Sequence, residues 1–221
     1  MPFQVVLRKT RILMNTELWL QGYDRKGRYC FLVRLSQLSP STMQAETCFK
    51  VFIMMFTLIM EGNIQAQTKG MCMIVDMEGM TVSHATMMTP TLLKKLVVVF
   101  LEAYPLDNDI LTELSSLYFL NMPKILEKLF SLFVSFLNKK LRKTIRVLDK
   151  TSSVLLTDLG EEILPAELGG ANRNTGDLTE FWRAEMVRQA AWLAEEVKFR
   201  TDETARVGKD RLTGRLGCSV M

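Results

Sequence analysis

A short strand without a polar face, Met71 to Val75, constrains the fold of this chain more than any other segment. The run is too short for a helix and lies between Gly70 and Gly79, so its length and its flanks predict a β-strand. Successive side chains of a strand alternate between two faces. One face then carries Met71, Met73 and Val75, and the other carries Cys72, Ile74 and the following Asp76. Because both faces are mainly apolar, we expect this strand inside a parallel sheet that is covered on both sides.

The segment after this strand predicts an unusually apolar helix, from Thr91 to Ala103. Thr89 fits its N-cap, Pro90 fits its first helical position, and Pro105 ends it. The apolar run from Leu96 to Leu101 is wider than the single stripe of an amphipathic helix. We therefore expect protein, lipid or both to cover this helix on more than one side.

Further strands and helices alternate along the chain. The other predicted strands are Leu18 to Gly22, Tyr29 to Leu35, Leu117 to Asn121 and Ile145 to Asp149. The other predicted helices run from Ser41 through Met60 toward Gln67, from Pro123 to Lys143, and from near Asp177 with an apolar stripe of Leu178, Trp182, Met186, Leu193 and Val197. A turn at residues 24–27 joins the first two strands into a hairpin. This alternation predicts an α/β fold with a mostly parallel sheet and right-handed crossovers.

Composition argues against several classes of protein. With 221 residues, of which 48% are hydrophobic and 24% charged, the chain can bury a large core. Its longest apolar run, Val51 to Met60, is shorter than the ~20 residues that span a bilayer, and the N-terminus lacks the pattern of a signal peptide. We therefore expect a cytoplasmic location. The formal charge of +4 is too small to indicate binding to nucleic acid. A single histidine and four widely spaced cysteines predict neither a zinc site nor a disulfide framework; the cysteines are Cys30, Cys48, Cys72 and Cys218.

Three neighbouring polar residues supply the residue types of a hydrolase triad, namely Asp76, Ser83 and His84. No G-x-S-x-G motif accompanies them, so we interpret them as groups that form hydrogen bonds within a loop. Gly169 and Gly170 lack the Lys-Ser/Thr of a phosphate-binding loop and predict a turn. The sequence therefore predicts no enzyme activity and no cofactor.

Six motifs follow one another along the chain. They are G-Y-D-R-K-G-R (Gly22 to Arg28), V-D-M-E-G-M-T-V-S-H (Val75 to His84), T-P-T-L-L-K-K (Thr89 to Lys95), A-Y-P (Ala103 to Pro105), F-L-N-M-P (Phe119 to Pro123) and I-L-P-A-E-L-G-G (Ile163 to Gly170). In this order they closely resemble the CRAL-TRIO lipid-transfer family, above all its branch with alpha-tocopherol transfer protein, cellular retinaldehyde-binding protein, clavesin and insect relatives. The resemblance implies a remnant N-terminal segment at 1–16, a lipid-binding domain at 17–170, a C-terminal helix at 171–200 that packs on the domain, and a flexible tail at 201–221.

The resemblance also implies a sheet that forms the floor of an apolar pocket, closed by a gate helix at Thr91 to Ala103. The ligand-binding residues that it implies are Ile53, Met54, Thr57, Met71, Met73, Val75, Leu96, Val99, Phe100, Tyr104, Leu117 and Phe119. The 15 methionines of the chain suit such a pocket, because an unbranched thioether side chain can repack around different ligands.

A run of cations without an acidic residue, Lys139 to Arg146, ends the helix before the last predicted strand. Family members bind phosphoinositide headgroups at this place, which implies a headgroup site of Lys140, Arg142 and Lys143. Lys140 matches a family headgroup position, whereas Thr144 stands where the family has an arginine. The last four residues, Cys218 to Met221, also fit a prenylation pattern.

Together these features predict a non-enzymatic carrier that takes a hydrophobic ligand, such as a retinoid, a tocopherol-like molecule or another lipid, from one membrane to another. Docking on membranes that contain phosphoinositides would assist the transfer, and the protein would be cytoplasmic and peripheral on membranes. The alternative is a phosphoinositide-binding interaction module that is recruited to membranes and transfers nothing.

Overall fold

The computed structural model describes residues 18–37, 45–98, 114–149, 153–172 and 175–196, which fall into two units divided between Arg188 and Gln189. The strands are β1 (Leu18–Tyr23), β2 (Tyr29–Arg34), β3 (Met71–Asp76), β4 (Leu114–Leu120) and β5 (Ile145–Leu148). The helices are α1 (Ala45–Gly62), α2 (Ile64–Lys69), α3 (Val82–Met87), α4 (Pro90–Val98), α5 (Glu127–Phe136), α6 (Lys139–Thr144), α7 (Val154–Leu159), α8 (Thr175–Arg188) and α9 (Ala190–Glu196). No described helix combines the length and the apolar character needed to cross a membrane.

The five strands form one sheet in the order β1-β2-β3-β4-β5. The hairpin strands β1 and β2 are antiparallel, and every other pair is parallel. The predicted α/β fold with a mostly parallel sheet is therefore confirmed. All six residues of β3 are buried, as its two apolar faces predict.

A buried ion pair holds the hairpin turn between β1 and β2. The carboxylate of Asp24 accepts hydrogen bonds from the backbone N–H groups of Lys26 and Arg28, both at 2.9 Å, and from Nε of Arg28 at 2.6 Å. Nη1 of Arg28 also donates to Oγ of Ser116 in β4, at 2.7 Å. The guanidinium thus ties the hairpin to a strand two positions away in the sheet.

Two predicted long helices are each divided by an asparagine. Asn63 accepts a hydrogen bond from the backbone N–H of Ala66 at 2.8 Å and so begins α2 after α1 has ended. Asn138 accepts from the backbone N–H of Leu141 at 2.9 Å and begins α6, while Leu137 is extended with ψ 147°. The prediction of unbroken helices was wrong at both places, because an asparagine that caps a new helix satisfies N–H groups which an unbroken helix would bond internally.

Two short helices were not predicted, and one predicted helix is divided. Residues 82–87, which we expected as a loop, form α3, and α7 lies in a segment with no predicted helix. The predicted C-terminal helix is present as α8 and α9. Trp182 and Met186 of its predicted stripe are buried in α8, which packs against β1.

An apolar cavity as candidate functional site

A cavity of about 190 Å³ lies on one face of the sheet, among residues of α1, α4 and α5. The residues that line it are Val33, Leu35, Ala45, Cys48, Phe49, Phe52, Met55, Met73, Val75, Met77, Met80, Met88, Leu92, Leu93, Leu96, Phe119, Leu126, Leu129, Phe130 and Phe133. None of these side chains carries a charge or offers a nitrogen or oxygen atom. Five of them are methionines, so the described wall is apolar and adaptable.

The sheet register places this cavity toward the carboxyl ends of the parallel strands. Val33, Val75 and Phe119 are neighbours across β2, β3 and β4, and all three line the cavity. One row nearer the amino ends, Met73 lines it and its neighbour Leu117 does not.

Four of the predicted ligand-binding residues meet at the cavity, namely Met73, Val75, Leu96 and Phe119. Met71 and Leu117 are buried nearer the amino ends of their strands and are not among the lining residues. Strand alternation identifies the correct face but not the distance along the strand, which explains this difference. The ligand-binding role of all these residues stays a prediction.

Helix α1 presents a different stripe to the cavity from the one predicted. The lining residues are Ala45, Cys48, Phe49, Phe52 and Met55, whose spacing of three or four follows one side of a helix. The predicted residues Ile53, Met54 and Thr57 are half-buried and are not among the lining residues. The sequence did carry a signal for the rotation of this helix, because Glu46, Lys50, Thr57 and Glu61 fall on the side opposite the lining residues.

The described part of the predicted gate helix is α4. Thr89 caps it as predicted, since Oγ1 accepts a hydrogen bond from the backbone N–H of Leu92 at 3.2 Å. Leu92, Leu93 and Leu96 face the cavity. The predicted ligand residues Val99, Phe100 and Tyr104 lie outside the described residues.

Helix α5 closes part of the cavity through an aromatic cluster. The ring centre of Phe119 lies 4.8 Å from the ring centre of Phe130 and 6.0 Å from that of Phe133, and both pairs are edge-to-face. The α5 residues are absent from the set of ligand-binding residues that the resemblance implies. Their signal was present, because Leu129, Phe130 and Phe133 follow a spacing of one helical turn.

The loop after β3 contributes Met77 and Met80 to the cavity, and Asp76 holds this loop. The buried carboxylate of Asp76 accepts from Nε of Arg34 at 3.0 Å, from Nδ2 of Asn121 at 3.1 Å and from the backbone N–H of Glu78 at 3.0 Å. These donors come from the ends of β2 and β4 and from the loop itself. The loop is thereby fixed to the sheet.

The residues of the hydrolase alternative do not bond to one another in the described structure. Asp76 bonds to the donors just named, whereas Nδ1 of His84 accepts from the backbone N–H of Thr81 at 3.0 Å. Asp76 therefore forms hydrogen bonds that hold a loop, as interpreted from the sequence, whereas His84 caps α3 instead of bonding within a loop. Nε2 of His84 is buried without a hydrogen-bond partner.

The thiol groups are free in the described residues, namely at Cys30, Cys48 and Cys72. Burial raises the pKa of the Cys48 thiol, which lines the cavity, to about 11. The thiol therefore stays protonated at neutral pH and adds no charge to the cavity wall. Within the described residues, no three His, Cys, Asp or Glu side chains come close enough together to hold a metal ion.

The predicted headgroup residues lie on α6, and β5 begins directly after the last residue of this helix. Lys140, Arg142 and Lys143 are exposed. Arg142 also donates from Nε to the carbonyl oxygen of Leu137 and from Nη2 to that of Ser135, both at 2.9 Å. It therefore stabilises the end of α5 in addition to any contact with an anion. Arg146 in β5 forms an ion pair with Asp158, with Nη1 2.9 Å from Oδ2.

Comparison with protein families and with known proteins gives consistent results. A family model described as the CRAL/TRIO domain matches residues 14–170. The alpha-tocopherol transfer protein-like protein of Mus musculus is 24% identical over 163 residues, which are 73% of this chain and 44% of that protein. Clavesin-1 of Rattus norvegicus is 23% identical over 151 residues, which are 68% of this chain and 41% of that protein. The chain thus spans less than half the length of these relatives.

Among solved structures, the crystal structure of Sfh5 is similar to this chain with a TM-score of 0.58 and 16% sequence identity. The match covers 77% of this chain and 66% of that chain. At this identity the similarity supports the fold alone.

Proposed function

Because the chain belongs to the CRAL/TRIO domain family, we propose that it binds a hydrophobic small molecule in the apolar cavity and carries it between membranes. The observation that supports this most directly is the described cavity wall, in which no side chain is charged. Moving an apolar molecule from a bilayer into such a wall exchanges one hydrocarbon environment for another. Each buried CH₂ group still avoids about 0.8 kcal/mol of exposure to water, so the carrier keeps its cargo out of solvent.

The size of the cavity limits the cargo in this conformation. A cavity of about 150 Å³ accepts benzene, and pockets for drug-sized ligands measure about 300–1,000 Å³. At about 190 Å³, the cavity admits a single ring or a short chain. A retinoid or a tocopherol-like molecule therefore requires its wall to repack, and the five methionines of the lining are the side chains best suited to do so.

We further propose that Lys140, Arg142 and Lys143 dock the protein on anionic membranes, including those that contain phosphoinositides. The exposed cations of α6 support this, because each cation near an anionic surface contributes about 1 kcal/mol of attraction. On this proposal the protein works at the cytoplasmic surface of membranes. It binds and transfers its ligand without catalysing a reaction.

The test is transfer between vesicles with one cavity variant and its matched control. Leu93→Asp should abolish ligand binding and transfer, because a carboxylate would be buried against hydrocarbon without a partner. Thr91→Asp, which adds the same charge at an exposed position of the same helix, should transfer normally. Mass spectrometry of lipid extracted from the purified protein should identify the cargo.

Two outcomes would contradict the carrier function. If the parent protein binds vesicles but extracts no labelled retinoid, tocopherol or phospholipid, the protein is a recruited interaction module. If folded Leu93→Asp transfers as fast as the parent, the cavity is not the carrier site.

A further inference from the structure

His84 has a polar atom that the fold leaves without a partner. Its side chain is buried, with 8% of the residue exposed. In the described part of the chain, Nε2 of His84 is the one buried side-chain nitrogen or oxygen that lacks a hydrogen-bond partner. A buried polar group without a partner destabilises the folded state, so its presence requires an explanation.

The contacts of the other ring nitrogen determine which atom carries hydrogen. The backbone N–H of Thr81 donates to Nδ1 at 3.0 Å, and Oγ1 of Thr81 lies 2.8 Å from the same atom. Because Nδ1 accepts a hydrogen bond, the neutral imidazole carries its hydrogen on Nε2. The unpartnered atom is therefore a donor, and it requires an acceptor.

His84 lines a small cavity, of about 10 Å³, that continues the main one. Five of the seven residues that line the small cavity also line the main one, namely Leu35, Ala45, Cys48, Met80 and Met88. The small cavity adds His84 and Met87. In the described lining of the two cavities together, His84 is the one side chain with a nitrogen or oxygen atom.

A water molecule is a poor partner for this donor. A buried water needs about 10–15 Å³ and two to four polar partners. The small cavity, at about 10 Å³, is at the lower limit of that size, and beside His84 its described lining offers only carbon, methionine sulfur and one thiol instead of the further polar partners that a water needs. An oxygen atom that is covalently part of an apolar molecule needs only the one donor, because its carbon body occupies the apolar wall.

We propose that the Nε2–H group of His84 donates a hydrogen bond to an oxygen atom of the lipophilic ligand, so that the cavity selects ligands with a carbonyl, hydroxyl or ether oxygen over pure hydrocarbons. This inference rests on the proposed function, since it needs a ligand in the main cavity. The preference follows from the cost that a hydrocarbon incurs by leaving the buried donor unpaired.

Two small probes of nearly equal shape test the preference. Acetophenone carries a C=O group where α-methylstyrene carries C=CH₂, and a cavity of about 150 Å³ already accepts a benzene ring. The parent protein should bind acetophenone about tenfold more tightly, which corresponds to one net hydrogen bond. Because His84 is the only histidine of the chain, ¹⁵N-labelled histidine reports this site without assignment. Its Nε2–H signal should move with acetophenone and stay nearly fixed with α-methylstyrene.

Substitutions separate the donor from the shape of the cavity. His84→Phe keeps a ring but removes the donor, so the preference for acetophenone should be lost or reversed, because its carbonyl would be buried without a partner. His84→Gln retains a donor and an acceptor for Thr81, as in a capping box, and should restore much of the preference. Met87→Leu changes the same small cavity without a polar atom, and it should leave the preference unchanged.

The proposal is overturned if the parent protein binds both probes equally, if the Nε2–H signal is insensitive to bound acetophenone, or if folded His84→Phe keeps the full preference. An Nε2–H group that is already bonded to a water and keeps that water in the complex would give the second of these results. Failure of the parent protein to bind either probe would instead refute the ligand cavity itself. The spectroscopic measurement on the parent protein decides the question even if His84→Phe does not fold.

Discussion

At the scale of single residues, Gly170 occupies the tightest position among the described glycines. A Cβ atom added there would lie 1.9 Å from the carbonyl oxygen and 2.4 Å from the carbonyl carbon of Leu164. The contact follows from the turn after α7, where the backbone N–H of Asn172 donates to that carbonyl at 3.0 Å. The glycine pair was correctly predicted as a turn. The close approach of the Leu164 carbonyl explains why only a glycine fits at the second position.

Gly170→Ala should therefore reduce the free energy of unfolding by about 3 kcal/mol or more, because backbone atoms rather than a flexible side chain must move. Gly62→Ala is the control, since nothing lies within 4 Å of the added carbon at the end of α1. It should be neutral or stabilise the protein by about 0.5–1 kcal/mol. Urea unfolding of both variants measures the difference. Equal free energies of unfolding for the two variants would show that the backbone of the turn can move at little cost.

Cys48 should react unusually slowly with iodoacetamide. Alkylation requires the thiolate, and the thiol has its pKa raised by burial from 9.0 to about 11. Since two pKa units correspond to a factor of about one hundred in thiolate at neutral pH, the folded protein should react at least a hundredfold more slowly than the chain unfolded in urea. A Cys218→Ser background and mass spectrometry of the modified peptide isolate the signal. A rate that stops rising near pH 9 would contradict the raised pKa.

The raised pKa of Cys48 also makes the free energy of unfolding depend on pH in a definite direction. A thiol whose pKa is higher in the folded than in the unfolded state contributes stability that is fully present below the unfolded value of 9.0. That contribution is lost as the pH rises from 9.0 toward about 11. Burial, together with a hydrogen bond to Asp158, raises the pKa of Tyr118 to about 12 in the same direction. Both groups therefore favour the folded protein at neutral pH over alkaline pH.

At the scale of elements, two aromatic clusters join helices to the cavity side of the sheet. In one, Phe130 of α5 meets Phe119 of β4, and Phe130 lines the cavity. In the other, Phe56 of α1 meets Phe31 of β2 at 6.2 Å, and Phe56 is not among the lining residues. Phe130 therefore borders the cavity directly, whereas Phe56 packs against Phe31 and the lining residue Phe52 without bordering the cavity itself.

Phe130→Ala should enlarge the cavity and shift its preference toward longer ligands. We expect the ratio of the affinities for biphenyl and benzene to rise at least tenfold. The variant should lose about 2–3 kcal/mol of stability, less than a fully buried phenylalanine, because Phe130 is half-buried. Phe56→Ala should cost more stability and leave the affinity ratio unchanged. Titration calorimetry with both probes distinguishes the two, and an unchanged ratio in Phe130→Ala would show that α5 does not limit the cargo.

At the scale of the molecule, the cavity and the cations of α6 occupy different regions of the sheet. The cavity lies toward the carboxyl ends of the parallel strands, whereas α6 leads into the amino end of β5. On the proposed function, membrane contact through α6 and ligand contact in the cavity would therefore involve separate residues. Substitutions at one region should leave the direct interactions of the other intact.

Replacing Lys140, Arg142 and Lys143 together with glutamine should weaken binding to vesicles that contain phosphatidylinositol bisphosphate and slow transfer. The effect should fade at high salt, because the Debye length is only about 8 Å at physiological ionic strength. The control replaces the exposed Arg25, Lys26 and Lys69 with glutamine. Both variants change the formal charge from +4 to +1. Weaker vesicle binding of the α6 variant than of the control would therefore locate the membrane contact at α6. Equal sedimentation of the α6 variant and the parent at low and high salt would refute this docking site.

Local patterns in the sequence were sufficient to establish the sheet and its two faces. The short length of residues 71–75 and their glycine flanks identified the buried strand. Strand alternation then identified the face that carries Met73 and Val75, because alternation is a property of the backbone itself. Thr89 and Pro90 located the beginning of α4 for a similarly local reason. Motif order indicated the family, which the match over residues 14–170 supports.

Tertiary structure alone decided which apolar residues line the cavity. Helix α1 turns its apolar side toward the sheet, but only packing there separates the lining residue Phe52 from Phe56, which also contacts Phe31 and does not line the cavity. The extent of the cavity along β3 depends on where α4 and α5 cross the sheet, which excludes Met71 and includes Met73. The unpartnered Nε2 of His84 could not be read from the sequence, because a missing hydrogen bond is a relation between distant residues rather than a property of one.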